Sequence, residues 1–358
     1  MKLSDIFSNL SSKGTDSNRV VGIDIGSSSI KVVELQERGG VLTLTTYGEL
    51  QVGPYADQAV GQSVTLEQKK EQQALVDVIR ESAVKAKSAV FAMPLSLSFV
   101  TTINFKAEEK EDLSSRVRVE ARKYIPVPIG EVTLDWAEVE SIDGAEEGRR
   151  DVLVAAIQNE ALSRFRVLMK FVNLKEPPTE IECFSAIRGI YKEDEKDVAL
   201  IDIGAVSTKL YIVRNGLLQR IHRVRAGGAI ATKRIASTLD LSFEEAEIAK
   251  RNVKREDDNF HDIKKAHHSC YDRAWQEFRQ VIRDYEETMS TKIENVYLTG
   301  GGSLFPSMKL SIEDSLQKNV TYVNSFTKVA YPAFMEDIMT ELGPTFHVAL
   351  GAALRSFE

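Results

Sequence analysis

The chain has 358 residues, which is more than one compact domain usually holds and fits two domains with an insertion. Its 43% hydrophobic and 28% charged residues are ordinary for a globular protein, and a net charge of −7 argues against a nucleic-acid-binding protein, which would usually present a basic face. The two cysteines, Cys183 and Cys270, lie far apart and match no metal-binding spacing.

Residues 1–19 are predicted to be a tail with a short amphipathic helix, because Leu3, Ile6, Phe7 and Leu10 fall on one helical face. No signal peptide is visible, and no apolar run approaches the roughly 20 residues that span a bilayer. The expected location is the cytoplasm, with any membrane contact made through a partner or a surface helix.

Three apolar runs between Val20 and Leu50 predict the strands that open a first domain, which extends over 20–94. A helix over 66–85 and a buried strand over 89–93 follow. The sequence 95–158 then predicts a small inserted β-α-β-β subdomain.

The first domain is expected to resume over 159–196, with a strand over 180–184 and a helix over 185–191. The charged stretch 192–197 is the predicted domain boundary. A second domain follows over 197–340.

The second domain is predicted to include a helical subdomain over 240–292, and a final helix over 341–358 is assigned to the first domain. The polar segment 251–268 contains three histidines. A solvated loop or helix is expected there in preference to a metal site.

An internal repeat is the strongest feature of the sequence. The run Asp24–Lys31 recurs at a fixed offset as Asp202–Lys209, and its Asp, Ile, Gly, Ser and Lys positions match. Each copy follows an apolar strand and precedes a return strand. One copy alone would suggest an ordinary turn, but two copies in register indicate two related halves that face each other.

The chemistry of this pattern suits a polyphosphate. Glycine permits a tight turn, and successive backbone N–H groups in such a turn form an anion-binding nest. Asp24 and Asp202 could each hold a hydrated Mg²⁺, which keeps several waters and binds few carboxylates. Lys31, on the return strand, could reach a phosphate as a point charge.

A third element is the run 296–303, in which a buried strand enters a triple-glycine turn before a helix. Two smaller features support it. Gly227 and Gly228 precede a helix predicted over 232–239, and Glu247 and Lys250 lie three residues apart on one helical face.

These elements, in this order, resemble the two phosphate loops and the adenosine loop of the actin, Hsp70 and sugar-kinase superfamily. The segment 346–354 resembles the last connecting helix of that superfamily. The resemblance implies an α/β, actin-like (ribonuclease H-like) duplicated fold, with two domains around a nucleotide cleft and a small inserted FtsA-like subdomain.

Within the superfamily, the start at 20–35, the stretch Glu120–Pro126 and the inserted unit resemble the PilM family of type IV pilus assembly. FtsA has a similar insertion but usually continues into a basic membrane helix, which is not expected after Glu358. The resemblance implies ATP or ADP with Mg²⁺, and slow or absent hydrolysis. It also implies docking of the N-terminal cytoplasmic peptide of a PilN-like inner-membrane protein, and so a cytoplasmic location at the inner membrane. It leaves contact with the pilus motor ATPase and self-association open, and it implies no nucleic-acid partner.

The resemblance also assigns residues by position. Those expected to contact phosphate or Mg²⁺ are Asp24, Gly26, Ser27, Ser28, Ser29, Lys31, Asp202, Gly204, Ala205 and Thr208, with Asp24 and Asp202 holding the metal through water. Those expected to line the nucleotide are Gly227, Gly228, Glu247, Lys250, Gly300, Gly301, Gly302 and Ser303.

No catalytic residue is assigned. Glu182 is a candidate for orienting the attacking water and is equally interpretable as an exposed strand residue, so weak turnover is expected. Three alternatives remain: an FtsA-like filament-forming ATPase, a small-molecule kinase, and a nucleotide-free relative of the cytoplasmic part of secretion protein L.

Overall fold

The computed structural model describes residues 18–108, 112–139, 148–175, 180–192 and 195–358, so the tail predicted over 1–19 lies almost wholly outside the described residues. The strands are β1 (Arg19–Ile25), β2 (Ser29–Arg38), β3 (Val41–Gln51), β4 (Ser88–Met93), β5 (Ser98–Lys106), β6 (Val132–Val139), β7 (Arg149–Gln158), β8 (Glu180–Ile181), β9 (Asp197–Ile203), β10 (Thr208–Arg214), β11 (Leu217–Val224), β12 (Asn295–Thr299) and β13 (Asn319–Tyr322). The α-helices are α1 (Gln68–Glu81), α2 (Leu113–Ala121), α3 (Asn159–Phe171), α4 (Glu182–Ile190), α5 (Gly228–Leu239), α6 (Phe243–Asn252), α7 (Phe260–His268), α8 (Asp272–Thr288), α9 (Met308–Leu316) and α10 (Glu336–Leu354). Within these described ranges, no helix is long and apolar enough to cross a bilayer.

Two five-stranded sheets share one topology. Their strand orders are β3-β2-β1-β4-β8 and β11-β10-β9-β12-β13. In each sheet the first three strands run antiparallel and the last two join in parallel. The central strands β1 and β9 are apolar because both of their faces are covered, and Ile23 and Ile201 are fully buried. The duplication that the repeated run predicts is confirmed.

The inserted segment forms a three-stranded antiparallel sheet, β5-β7-β6, with α2 packed against it. Asp112 caps α2, because its side chain accepts a hydrogen bond from Ser114 N. The edge strand β5 faces the edge strand β11 of the second sheet, where Thr102 Oγ1 donates to Gln219 O at 3.1 Å. The insertion therefore contacts the second domain as well as the first.

Helix α10 crosses the first domain at very short range. A Cβ atom at Gly22 on β1 would lie 1.9 Å from Ala349 O, and one at Gly351 would lie 1.8 Å from Ser185 O on α4. Only glycine fits at these two positions, because any side chain would collide with backbone. The helix is thereby held against both β1 and α4.

Helix α4 replaces most of a predicted strand. The sequence suggested a strand over 180–184, but β8 ends at Ile181 and α4 begins at Glu182. The error has a physical cause: the residues from Cys183 to Ile190 are all buried, so the sequence lacks the polar face that distinguishes a helix from a short buried strand. Glu182 is consequently the first residue of a helix.

Candidate functional site

A cleft of about 360 Å³ lies between the two sheets. The β1–β2 turn forms one wall and the equivalent β9–β10 turn forms the opposite wall. Eleven of the residues assigned from the sequence line this cleft: Asp24, Gly26, Ser27, Ser28, Ser29, Lys31, Asp202, Gly204, Ala205, Gly300 and Gly301.

The two turns have the same geometry. Gly26 N donates to Ser29 O at 3.0 Å, and Gly204 N donates to Ser207 O at 3.0 Å. The register is also the same, since each aspartate at the end of its strand pairs directly with the lysine of the return strand. Each turn therefore presents free backbone N–H groups beside one carboxylate and one ammonium group.

In the second turn the lysine pairs with the aspartate of its own turn. Lys209 Nζ lies 3.1 Å from Asp202 Oδ2 and 3.1 Å from Glu182 Oε1. Burial acts to raise the pKa of Asp202, but the charges of Lys209 and His347 outweigh it and hold that pKa below its ordinary value. The pKa of Lys209 is raised, because its two carboxylate partners outweigh the opposing effect of burial. Asp202 and Lys209 therefore stay charged at neutral pH.

In the first turn the lysine does not pair with the aspartate of its own turn. Lys31 Nζ donates to Ser29 Oγ at 2.8 Å and lies 3.4 Å from Glu49 Oε1, so it is directed away from Asp24. Burial raises the pKa of Asp24 to about 6, although Lys31 acts in the opposite direction. Within the described part of the chain, no group makes a hydrogen bond or ion pair with this carboxylate. A half-buried carboxylate without a described partner suits a cation or its hydration water.

The third loop joins β12 to α9 and contacts α10. Gly300 adopts φ +87°, and a Cβ atom there would lie 2.5 Å from Asp202 Oδ1. The carbonyl oxygen of Pro344 accepts from Gly300 N at 2.7 Å and from Thr299 Oγ1 at 2.6 Å. Since Pro344 lies within α10, these two hydrogen bonds fasten the loop to the helix that crosses the first domain.

Four second-domain residues, here named the ledge, lie beside the cleft: Gly227, Gly228, Glu247 and Lys250. Gly228 N donates to Gly204 O at 2.9 Å, which places the start of α5 against the second turn. Glu247 Oε2 lies 2.6 Å from Lys250 Nζ. Burial acts to raise the pKa of Glu247, but Lys250 outweighs it and the pKa is lowered. Gly61 of the first domain is so close to Glu247 that a Cβ atom would lie 2.5 Å from Oε1.

The other seven assigned residues do not line the cleft. Thr208 is fully buried and its hydroxyl donates to Ala226 O, and the Ser303 hydroxyl donates to Gly300 O. A Cβ atom at Gly302 would meet Ile203 Cγ2 at 2.4 Å, so this glycine packs against β9. The remaining four form the ledge: Gly227, Gly228, Glu247 and Lys250.

The sequence assignment missed or left open several cleft residues. Lys209 could have been found, because the repeat that identified Lys31 includes it. Glu182 was left open between a water-orienting role and an exposed strand position. It begins α4, its side chain is 12% exposed, and it contacts Lys209. His347 carries no sequence signal, and its Nε2 lies 3.9 Å from Asp202 Oδ1 only because α10 crosses the cleft.

The histidine segment does not form a metal site among the described residues. Residues 260–268 of this segment form α7. The His267 ring on this helix is buried and stacks on the Phe305 ring, with 3.7 Å between the ring centroids. His268 Nε2 lies 3.2 Å from Ser307 Oγ. Part of the segment is thus packed core and not solvated surface.

Comparison with known proteins gives a consistent result. The family model for type IV pilus assembly protein PilM matches residues 22–357. A solved chain from the PilM–PilN type IV pilus biogenesis complex is 26% identical, with a TM-score of 0.80 over 95% of this chain and 98% of that one.

More distant structures share the fold alone. The ethanolamine utilization protein EutJ from Carboxydothermus hydrogenoformans is 15% identical, with a TM-score of 0.57 over 97% of this chain and 93% of that one. MreB5 of Spiroplasma citri bound to AMPPNP is 11% identical, with a TM-score of 0.51 over 96% of each chain. The predicted actin-like fold is confirmed, and the chain belongs to the PilM family of type IV pilus assembly proteins.

Proposed function

We propose that this chain is a nucleotide-binding adaptor of the type IV pilus inner-membrane complex. It binds ATP or ADP with Mg²⁺ in the cleft, and it holds the N-terminal cytoplasmic peptide of a PilN-like membrane protein beside its insertion. The observation that carries the nucleotide claim is the pair of opposed turns, with Asp24 left without a described partner.

The residues present fit a magnesium nucleotide. The backbone N–H groups of Ser27 to Ser29 and of Ala205 to Ser207 would hold the phosphates between the turns. Lys31 would add a point charge, and Asp24 and Asp202 would hold hydrated Mg²⁺. The metal nucleotide would neutralise Asp24 and, by contacting both turns, favour the closed arrangement of the domains.

The ledge is the proposed nucleoside side of the site. Glu247, Lys250 and the glycines at 227–228 lie beside the cleft on the second-domain side, and Gly300 and Gly301 line it. Support for a nucleotide ligand comes also from the fold, because MreB5 of the same fold is bound to AMPPNP.

Turnover is proposed to be slow. Glu182 is the described residue best placed to orient a water, yet it accepts hydrogen bonds from Leu95 N at 3.0 Å and pairs with Lys209. Both contacts fall on Oε1, so the carboxylate is held by structural partners and only Oε2 is left to align a nucleophile. The bound nucleotide would therefore act mainly as a structural ligand.

The peptide is assigned to a groove of about 240 Å³ beside the insertion. Its lining is mostly apolar and includes the end of the stretch Glu120–Pro126. The lining residues are Leu95, Ser98, Phe99, Val100, Thr101, Tyr124, Ile125, Val154, Ile221 and Arg223. An apolar groove of this size suits a short extended peptide, and the similar chain at 26% identity comes from a PilM–PilN complex.

The partner would place this chain at the inner membrane. Contact with the pilus motor ATPase and self-association extend the same proposal.

An FtsA-like filament is the alternative. The support for this alternative is the fold that the chain shares with the MamK double helical filament, at 13% identity and a TM-score of 0.56. Sedimentation with Mg²⁺-ATP tests it, since a filament pellets in proportion to nucleotide and an adaptor does not.

Calorimetric titration of Mg²⁺-ATP tests the nucleotide claim, with Asp24→Ala as the variant and Asp314→Asn, an exposed carboxylate on α9, as the control. We expect one saturating event that Asp24→Ala weakens and Asp314→Asn preserves. Heat that continues after saturation would indicate real turnover and contradict the structural role. No binding by the unchanged protein would overturn the nucleotide claim.

A further inference from the structure

Two cavities that the proposed function assigns to different ligands share a wall. The nucleotide cleft and the insertion groove have one lining residue in common among the described residues, Arg223 of β11. Arg223 pairs in register with Lys209 on β10. The two side chains therefore lie side by side on the face of the sheet that borders the cleft.

The two neighbouring cations differ in their surroundings. Lys209 is neutralised by Asp202 and Glu182. Arg223 is exposed, and no described residue accepts a hydrogen bond from its guanidinium or forms an ion pair with it. Arg223 is also the one charged side chain among the residues that line the groove.

A second contact connects the same two cavities. Leu95 lines the groove, and its backbone N–H donates to Glu182 Oε1 at 3.0 Å. Glu182 lines the cleft and contacts Lys209. Leu95, at the start of the inserted segment, is thus connected to the second turn through Glu182 and Lys209. The two cavities therefore share the side chain of Arg223 and are also linked by this short chain of contacts.

We infer that Arg223 couples the nucleotide cleft to the peptide groove, so that phosphate in the cleft strengthens peptide binding in the groove. This inference rests on the proposed function. The reason lies in desolvation: an apolar peptide that covers the groove would remove water from an unpaired guanidinium, which is unfavourable. A phosphate oxygen in the cleft would give that guanidinium an anionic partner and remove the penalty.

The coupling is reciprocal, because two ligands that change each other's affinity must do so by the same factor. Peptide should therefore strengthen nucleotide binding equally. Arg223 acts here as a positioning residue between two ligands, and it takes no part in any bond-breaking step.

The experiment measures how tightly this protein binds a synthetic peptide. The peptide comprises the N-terminal cytoplasmic residues of the PilN homologue from the same organism. Titrations are made without nucleotide and with saturating Mg²⁺-ATP, for the unchanged protein and for Arg223→Gln and Arg223→Lys. The matched control is Arg220→Gln. Arg220 is exposed on the same strand, but it donates to Gln219 O and lines a different cavity.

In the unchanged protein we expect Mg²⁺-ATP to tighten peptide binding about tenfold, within the usual range of coupling between sites. Arg223→Gln should bind peptide more tightly than the unchanged protein without nucleotide and gain less than about twofold on nucleotide addition. Arg223→Lys should recover part of the coupling, and Arg220→Gln should behave as the unchanged protein.

Two results would overturn the inference: no effect of Mg²⁺-ATP on the unchanged protein, or a coupling factor in Arg223→Gln equal to that of the unchanged protein. Both leave the proposed function standing if nucleotide and peptide each bind. If peptide fails to bind at all, the peptide part of the proposed function fails and the inference fails with it. Hydrogen exchange of residues 95–101 with and without Mg²⁺-ATP separately tests whether nucleotide in the cleft acts on the groove through Arg223, since the nucleotide-dependent protection should be lost in Arg223→Gln.

Discussion

Lys209 Nζ lies 3.1 Å from Glu182 Oε1, so an ion pair whose side chains are each 12% exposed joins the second domain to the first across the cleft. The same ammonium group lies 3.1 Å from Asp202 Oδ2. One cation therefore holds together two carboxylates from different domains. Separation of the domains would leave Glu182 without its charged partner, and the pair thus favours a closed cleft.

Replacing Lys209 with Met should be strongly destabilising at neutral pH. The change leaves two poorly solvated carboxylates, Asp202 and Glu182, facing each other, and removing one partner of a buried ionic group typically costs about 3–5 kcal/mol. Denaturant unfolding at pH 7 checks the loss. The double variant Lys209→Met/Glu182→Gln should recover part of it, because one of the two opposed charges is gone. Equal stability of the single variant and the unchanged protein would contradict the ion-pair assignment.

Asp24→Asn should stabilise the ligand-free protein while it weakens Mg²⁺-nucleotide binding. The folded-state pKa of Asp24 is raised to about 6, so its ionisation opposes folding as the pH rises from about 4 through 6. At pH 7 the variant should gain about 1–3 kcal/mol in unfolding free energy, and the gain should vanish near pH 3.5.

Thermal or denaturant melts of the ligand-free protein across this pH range measure the effect. Asp77→Asn is the control, because hydrogen bonds from Gln73 and Tyr55 lower the pKa of that half-buried carboxyl. Its replacement should give no comparable gain. A loss of stability in Asp24→Asn at pH 7 would show that Asp24 has a stabilising partner.

Acid should destabilise the helical part of the second domain between about pH 6.5 and 4. Burial lowers the pKa of His268 to about 4 and lowers that of His267 further below its ordinary value. A histidine with a lowered folded-state pKa contributes stability above its unfolded pKa and loses it as the pH falls.

His267→Phe should reduce this acid sensitivity, because the ring still stacks on Phe305 but takes up no proton. The measurement is the difference in melting temperature between pH 7 and pH 5. His261→Asn, an exposed position on α7, serves as the control and should match the unchanged protein. An undiminished difference in His267→Phe would place the acid sensitivity elsewhere.

Tyr124→Ser should weaken binding of the PilN-homologue peptide at least about tenfold, because an aromatic anchor in a groove commonly contributes more than 1 kcal/mol. Tyr124 lines the groove and is 52% exposed. Phe171→Ser is a matched control, since this ring is 56% exposed on α3 outside the groove. Equal peptide affinities for the two variants, measured by fluorescence anisotropy, would exclude the groove as the docking site.

The amino-acid sequence by itself determined the duplicated core. Asp24 and Asp202 each end an apolar strand and precede a glycine turn, and the conformation of such a unit depends on its own few residues. Local side-chain burial and glycine geometry are enough to specify it. The two turns, the antiparallel start of the first domain and the family were therefore predictable.

Only the tertiary structure decided how the repeated residues differ. Lys31 and Lys209 occupy equivalent positions, yet one contacts Glu49 and the other contacts Asp202 and Glu182. These partners come from separate parts of the chain, and the crossing of α10 brings His347 to the same place. The strength of a charge pair depends on the distance between its two groups in space. A repeat in the sequence therefore determines the position of a charged residue along its strand, whereas the packing of the domains determines which residue pairs with it.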